Sequence, residues 1–132
     1  MYIGTQVAPR NLSDLEVWSQ LGVNNICTDP FRENEKGEFS SINPHEWTKE
    51  ILEKHIEILE KNGLKLDMVQ IPLSSRPLEE SQSPNIMLGK SPERDREIES
   101  IQKIIELCSS VGIPAVKYNM NIIGIPRSEN EK

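Results

Sequence analysis

The sequence has no long hydrophobic run, no leader pattern and no excess of basic residues. No apolar stretch approaches the roughly 20 residues that a membrane span requires, and the first residues, MYIGTQVAPR, lack the basic and apolar regions of a signal peptide. The formal net charge of -6 argues against nucleic acid as a partner, because phosphate binding needs an excess of Lys and Arg. We therefore expect a cytoplasmic protein that binds neither a membrane nor nucleic acid.

Residues that commonly carry metal or covalent chemistry are also scarce. Cys27 and Cys108 show no spacing typical of a disulfide framework or a zinc site, and we predict that both are small core residues. His55 is predicted to lie on a solvated helix face and His45 to have a local structural role in a first helical turn. No His, Asp and Glu trio converges in the pattern, so we predict no complete metal site in this chain.

Three glycines mark a repeated unit in what the sequence does contain. Gly22, Gly63 and Gly112 each follow an amphipathic helical pattern and precede an apolar run. Strands separated by helices cannot form hairpins, so they must lie parallel with the helices covering the sheet. The 132 residues therefore predict one small α/β domain or part of one.

The boundaries of these elements follow from cap signals and apolar runs. Helices are predicted to begin at Ser13 in a capping box with Glu16, at Asn43 before Pro44, and at Ser91 before Pro92. Strands are predicted over residues 2–6, 23–28, 64–71 and 113–120, and irregular loops over residues 29–41 and 72–90.

The unequal loop lengths predict which face carries a site. Links from helix to strand are one or two residues long, whereas links from strand to helix are much longer. In α/β barrels and doubly wound sheets, ligands bind at the carboxyl ends of the strands, where such loops gather. The predicted site face therefore bears Gln6, Asp29, Gln70 and Asn119.

The last predicted strand contributes two candidate binding residues. Lys117 and Asn119 alternate with larger, mostly apolar side chains, so both should point into a barrel mouth. There an ammonium and an amide can hold a carboxylate or a sugar hydroxyl. The structural alternative is that Lys117 pairs with an interior carboxylate such as Asp67.

A basic group lies at the start of the third predicted helix. Lys90, Arg94 and Arg96 fall in the loop and first turn, where guanidinium groups and a helix N-terminus together suit an anion. The alternative, which composition favours, is a solvated charged surface.

Several segments together resemble a known family. The segments GVNNIC (22–27), GLKLDM (63–68), IMLGK (86–90) leading into ERDREIE (93–99), and GIP (112–114) running into KYN (117–119) resemble the N-terminal part of mannonate dehydratase. The resemblance extends to Gly124 and implies a partial (β/α)8 TIM barrel with about four parallel strands and three helices. Residues 1–125 would form the N-terminal half of the barrel, and residues 126–132 a polar tail or truncated loop.

The resemblance also implies a reaction. Mannonate dehydratases are lyases that remove water from D-mannonate to give 2-keto-3-deoxy-D-gluconate in hexuronate catabolism, with Mn²⁺ or Fe²⁺. Lys117, Asn119 and Arg94 would then surround an anionic sugar acid. Metal ligands and catalytic residues are expected beyond Lys132, so we expect the 132-residue chain alone to be inactive.

Two alternatives stay open at this point. The same barrel superfamily contains sugar isomerases and epimerases, so the fold alone does not select the reaction. The first and fourth strands would also be unpaired edges, and such edges tend to recruit a partner. The chain could therefore be a non-catalytic half-barrel that acts only by association, including as a homo-oligomer.

Overall fold

The computed structural model describes residues 3–73, 77–89 and 91–120, and alternates short strands with helices. The predicted polar tail over residues 126–132 lies outside these ranges. The strands are β1 (Gly4–Thr5), β2 (Asn25–Cys27), β3 (Phe31–Glu33), β4 (Phe39–Ser41), β5 (Lys65–Gln70) and β6 (Ala115–Lys117), and the helices are α1 (Leu12–Gln20), α2 (Lys49–Lys61), α3 (Pro84–Leu88) and α4 (Glu93–Ser110).

Four of the strands form one parallel sheet in the order β1-β2-β5-β6. Strands that are consecutive in the βα repeat are thus neighbours in space, which is the order found in an α/β barrel. The helices that join them end before Gly22, Gly63 and Gly112, each with positive φ. The predicted α/β class with four parallel strands is confirmed, and β1 and β6 are its two edges.

One hydrophobic core lies between the sheet and the three long helices. α1 contributes Leu15, α2 contributes Leu52 and Leu59, and α4 contributes Ile104, all of them buried. They pack with sheet residues such as Ile26 and with Leu66 and Val69 of β5. Burial of side chains of this size stabilises the fold by about 1.5–3 kcal/mol each. This layer fixes where the strands end.

The predicted helix starts need correction. Asn11, not Ser13, caps α1, because its Oδ1 accepts a hydrogen bond from the Asp14 backbone N–H at 3.1 Å. At α4 the cap position is Pro92, and the Ser91 hydroxyl contacts the Asp95 carboxylate at 3.3 Å instead of capping. In both cases the chain enters the helix at a different residue from the one that the cap pattern favoured.

The second helix is also divided at its start. Asn43 caps only a single 3-10 turn (Pro44–Glu46), and α2 begins later behind Thr48, whose hydroxyl accepts from the Ile51 backbone N–H at 3.3 Å. The chain therefore bends between the two cap signals. This bend places Asn43 beside the carboxyl end of the sheet.

The prediction of a loop over residues 29–41 is wrong, because this segment contains the antiparallel hairpin β3–β4. Phe31 and Phe39 stack with ring centroids 4.0 Å apart. The Phe39 backbone N–H donates to the Arg10 carbonyl at 2.7 Å, which ties the hairpin to the loop before α1. The hairpin therefore forms one wall at the carboxyl end of the sheet.

The second predicted loop, over residues 72–90, also contains regular structure. A 3-10 turn (Leu78–Glu80) and α3 lie within it. The Glu97 carboxylate of α4 accepts hydrogen bonds from the Asn85 side chain at 2.6 Å and the Ile86 backbone N–H at 2.9 Å. A tertiary contact thus satisfies the N-terminus of α3.

In the described residues, no helix has the length and apolar character needed to cross a bilayer.

Candidate functional site

Polar side chains from all four parallel strands converge at the carboxyl edge of the sheet. Gln70 and Lys117 are register partners at the ends of β5 and β6, so their side chains lie side by side on one face. Gln6 follows β1, and Asp29 follows β2. These four residues line one cavity at the carboxyl edge. Three of the four residues predicted on the site face, Gln6, Asp29 and Gln70, thus lie together with Lys117, whereas the fourth, Asn119, does not line this cavity.

Lys117 reaches across the whole sheet. Its Nζ donates to Oε1 of Gln6 at 2.8 Å, although β6 and β1 are opposite edges. Three strand spacings of about 4.8 Å would separate these edges by about 14 Å in a flat sheet. Both side chains must therefore extend over the same face, and the sheet must curve toward them. This curvature is the one that a barrel wall requires.

Asp29 joins two strand ends. Its Oδ1 accepts a hydrogen bond from the Gln70 backbone N–H at 2.7 Å, so the carboxylate is fixed between β2 and β5. Burial raises the pKa of Asp29, while the Gln70 hydrogen bond and the positive charge of Lys117 act in the opposite direction. The carboxylate is half-buried and borders the space in front of the sheet.

Two adjoining cavities lie in front of these residues. The inner cavity, of about 110 Å³, is lined by Gln6, Cys27, Asp29, Gln70 and Lys117 among others. The outer cavity, of about 380 Å³, shares Asp29 and Gln70 and extends along the hairpin. Ser41 also lines both cavities, whereas Asn43 and Gln82 line the outer one.

The outer cavity contains residues that the sequence analysis did not predict as binding residues. Ser41 is the last residue of β4, Asn43 lies two residues after it, and Gln82 lies two residues before α3. Their polar character was visible in the sequence, but their shared location depends on the hairpin and on α3, where the sequence predicts loops. The hairpin pattern of Phe31 and Phe39 around Gly37 was the one signal that could have found them.

The structural alternative for Lys117 is not found. Asp67 instead accepts a hydrogen bond from Asn25 Nδ2 at 2.8 Å on the neighbouring strand. Lys117 therefore has a polar amide partner, Gln6, and not a carboxylate in a salt bridge, among the described residues.

Asn119 and Arg94 lie away from the cavity centre. The Asn119 backbone N–H donates to the Leu73 carbonyl at 2.6 Å, and its side chain is exposed. Arg94 pairs with Asp95 at 2.8 Å on the first turn of α4. Neither lines the inner or the outer cavity. Their roles in substrate binding stay predictions, and Lys90 lies outside the described residues.

The two cysteines occupy different environments. Cys108 is 1% exposed within the core, as predicted. Cys27 is half-buried and lines the inner cavity, so the prediction of a core residue is only partly right. Burial raises the pKa of the Cys27 thiol despite the nearby Lys117. The thiol is therefore protonated at neutral pH and is not poised as a nucleophile.

The prediction that His55 is solvated is wrong. Its side chain is 3% exposed and packs edge-on against Phe31, with ring centroids 4.9 Å apart. Nε2 lies 3.4 Å from the Thr28 carbonyl, and Nδ1 has no partner. Burial lowers the pKa of His55 to about 4. His55 is therefore a neutral packing residue beneath the hairpin.

The other histidine makes a tertiary contact. His45 Nδ1 lies 3.1 Å from the Ser100 hydroxyl on α4, and both side chains are at the surface. This contact ties the 3-10 turn to α4, so the structural role extends beyond the local turn.

The resemblance implies a divalent metal, Mn²⁺ or Fe²⁺, in the complete enzyme. The described residues contain no group of three or more His, Cys, Asp or Glu side chains that could hold a metal ion. Asp29 and Cys27 lie near each other, but a divalent metal site needs more protein ligands than these two. In the described ranges, the residues present do not fit Mn²⁺ or Fe²⁺.

Comparison with solved structures finds a likeness over most of the chain. The structure matches mannonate dehydratase from Streptococcus suis serotype 2 with a TM-score of 0.61 and 22% sequence identity. The match covers 91% of this chain and 30% of that one. No family model matches the sequence, and the comparison with curated proteins finds no match. The likeness confirms the predicted resemblance at the level of the fold, and this chain spans about 30% of the length of that enzyme.

Proposed function

We propose that this chain forms the substrate-side wall of a barrel that dehydrates D-mannonate to 2-keto-3-deoxy-D-gluconate. The observation that carries the proposal is the ammonium of Lys117 at the mouth of a curved parallel sheet, held there by Gln6 at 2.8 Å. The likeness to a mannonate dehydratase over 91% of the chain supports the choice of substrate.

Lys117 suits the carboxylate end of such a substrate. An ammonium has three N–H donors, and Gln6 takes one of them in the described residues. The others are available for a charge-assisted hydrogen bond to a carboxylate. Loss of water β to a carboxylate passes through an enolate-like state, whose negative charge a fixed cation stabilises. Asn119 and Arg94 line neither cavity and would contact the same acid only at the margin of the site.

A chimera tests this proposal. The described residues hold no metal ligand set, so we expect this chain alone to form no 2-keto acid from D-mannonate with Mn²⁺. A chimera in which this chain replaces the matching part of the Streptococcus suis enzyme should form it. Lys117→Met in the chimera should raise KM about tenfold, since a hydrogen bond to a charged group contributes about 1.5 kcal/mol or more.

The control is Lys54→Met, which removes an exposed cation from α2, away from the cavities. This variant should leave KM unchanged. A folded, metal-loaded chimera without 2-keto acid formation would refute the dehydratase proposal. Proton exchange at a substrate carbon without 2-keto acid would instead indicate a sugar isomerase or epimerase.

A second candidate function is association with another copy of this chain. Every large apolar side chain that is exposed in the described residues belongs to one of two sides of the sheet. At the β1 and α1 side these are Ile3, Val7, Leu12, Val17 and Leu21, and at the β6, α3 and α4 side they are Leu88, Ile98, Ile105, Tyr118 and Met120.

Within the ranges that the structure describes, β1 and β6 are unpaired edges of the sheet, and each adjoins one of the two apolar sides. A second copy related by a twofold axis along the barrel would place β6 of each copy against β1 of the other. Eight parallel strands would result, which is the number that closes an α/β barrel. The inner cavity would then face its counterpart across one mouth. In this alternative the chain works through the assembly and not as part of a longer lyase.

A further inference from the structure

Among the described residues, the lining of the two cavities is rich in amides and hydroxyls and nearly free of charge. Lys117 and Asp29 are its charged residues, at the inner cavity and at the boundary between the cavities. The neutral polar lining residues are Gln6, Thr28, Ser41, Asn43, Gln70 and Gln82. Such groups suit a ligand with many hydroxyls, because each hydroxyl both donates and accepts.

Asp29 places a carboxylate at the boundary between the two cavities. A carboxylate offers about four acceptor positions and no donor. Oδ1 holds the Gln70 backbone N–H, and no other hydrogen bond to the carboxylate oxygens is present in the described residues. Oδ2 thus keeps its acceptor capacity at the border of the outer cavity. It repels a ligand carboxylate and attracts a hydroxyl donor.

We propose that the outer cavity binds the hydroxyl chain of an open-chain polyhydroxy acid whose carboxylate lies at Lys117. Asp29 is the specificity residue, accepting hydrogen bonds from the hydroxyls near the acid group. The proposal rests on the proposed function for the class of acid, and extends it by assigning the orientation of the ligand and a role to the hairpin side of the site.

The contacts favour this ligand over other anions. A phosphorylated ligand would need several cations, and Lys117 is the one cation that the described part of the chain contributes to the two linings. The distal positions Asn43 and Gln82 carry neutral amides, which donate to and accept from hydroxyls and supply no positive charge for a second acid group. Ser41 and Gln70, shared by both cavities, lie between the two ends of the ligand in this orientation.

The experiment is an NMR titration of the isotope-labelled full chain with three probes. D-Mannonate has both an acid group and hydroxyls, D-mannitol has the hydroxyls alone, and propanoate has the acid group alone. We expect D-mannonate to bind about tenfold more tightly than D-mannitol, which is the gain from one charge-assisted hydrogen bond. Propanoate should shift Lys117 and Gln6 without shifting Asn43 or Gln82.

Two variants separate the ends of the site. Lys117→Met should reduce D-mannonate affinity to that of D-mannitol and leave D-mannitol affinity unchanged. Asp29→Asn keeps an oxygen for the Gln70 N–H and should weaken D-mannitol about fivefold, because an amide replaces the open acceptor. Matched controls on exposed positions of α2 are Lys54→Met and Glu60→Gln, which should change neither affinity.

The outcomes separate this inference from the proposed function. Equal affinity of the wild-type chain for D-mannonate and D-mannitol, an unchanged D-mannitol affinity in Asp29→Asn, or no binding of either probe by the folded chain would overturn the inference. If D-mannonate binds as expected but the chimera forms no 2-keto acid, the inference stands and the dehydratase proposal fails. If the chimera forms 2-keto acid but the probes do not bind the chain as described, the dehydratase proposal stands and the inference fails.

Discussion

His55 shows how a single residue can depart from its helix pattern. Its neighbours on α2, Lys54 and Glu57, are exposed, so the sequence around it is that of a solvated face. The ring nevertheless lies beneath the hairpin, because Phe31 and the Thr28 carbonyl cover it. A charged imidazolium there would lose its hydration without gaining a carboxylate partner.

The stability of the fold should therefore depend on the titration of His55. The unfolded chain takes up a proton near pH 6.5, whereas the folded chain does so near pH 4. The contribution of neutral His55 is thus complete above pH 6.5 and declines as the pH falls toward 4. Between pH 7 and 4.5, wild type should lose about 2 kcal/mol more of its free energy of unfolding than His55→Leu.

Urea denaturation at the two pH values measures this difference. Asp29 and the other carboxyl groups titrate in both proteins, so their contributions cancel in the comparison. The control Gln102→Leu, at an exposed position of α4, should keep the wild-type acid sensitivity. If wild type and His55→Leu lose the same free energy on acidification, His55 is not a buried neutral group.

Four cavity-lining residues were predictable from the strand ends, although Asn119, predicted on the same face, lines neither cavity. Gln6, Asp29, Gln70 and Lys117 end or follow parallel strands, and the carboxyl ends of such strands must share one edge. The position of Arg94 relative to the cavities could not be predicted from strand register. Its position depends on the entry of α4, where Asp95 holds the guanidinium, and no strand register fixes that geometry.

At the scale of elements, the βα repeat was predictable and the hairpin was not. Apolar periodicity and three terminal glycines define the helices and strands of the repeat. The hairpin has few apolar residues, and its pairing relies on the stacked Phe31 and Phe39 and on Asn34. The Asn34 side chain accepts from the Lys36 and Glu38 backbone N–H groups, both at 2.9 Å. Such turn contacts leave no periodic signal.

The turn of the hairpin predicts a measurable cost of substitution. Gly37 has φ of 77°, a conformation in which a Cβ atom is strained. An added Cβ would lie 3.6 Å from Glu33 Oε1, an ordinary contact, so the cost is conformational and not a clash. We expect Gly37→Ala to lower the free energy of unfolding by about 1 kcal/mol.

Equilibrium urea denaturation at pH 7 checks this value. The control is Glu35→Ala, which alters the same turn at an exposed residue with negative φ and should change stability by less than about 0.5 kcal/mol. Equal effects of the two substitutions would show that the turn does not hold Gly37 in the left-handed region.

At the scale of the whole molecule, the described sheet is an open wall. An additional cavity of about 380 Å³ lies over the strands, bordered by Asn25, Asp67 and Met68 among others. In a closed barrel, side chains from other strands fill this interior. The open sheet thus explains why polar groups such as Asn25 and Asp67 bond to each other there.

The two apolar sides predict how this open wall behaves in solution. If a second copy closes the barrel, sedimentation equilibrium should show a mass that rises from monomer to dimer with concentration. Val17→Lys on α1 and Ile105→Lys on α4 should each shift the chain toward monomer, because a charge on an apolar contact surface must be desolvated on association. Glu60→Lys on α2 adds the same cation away from both sides and should leave the dimer fraction unchanged. A wild-type chain that stays monomeric at every concentration would contradict closure by a second copy and favour the wall of a longer lyase.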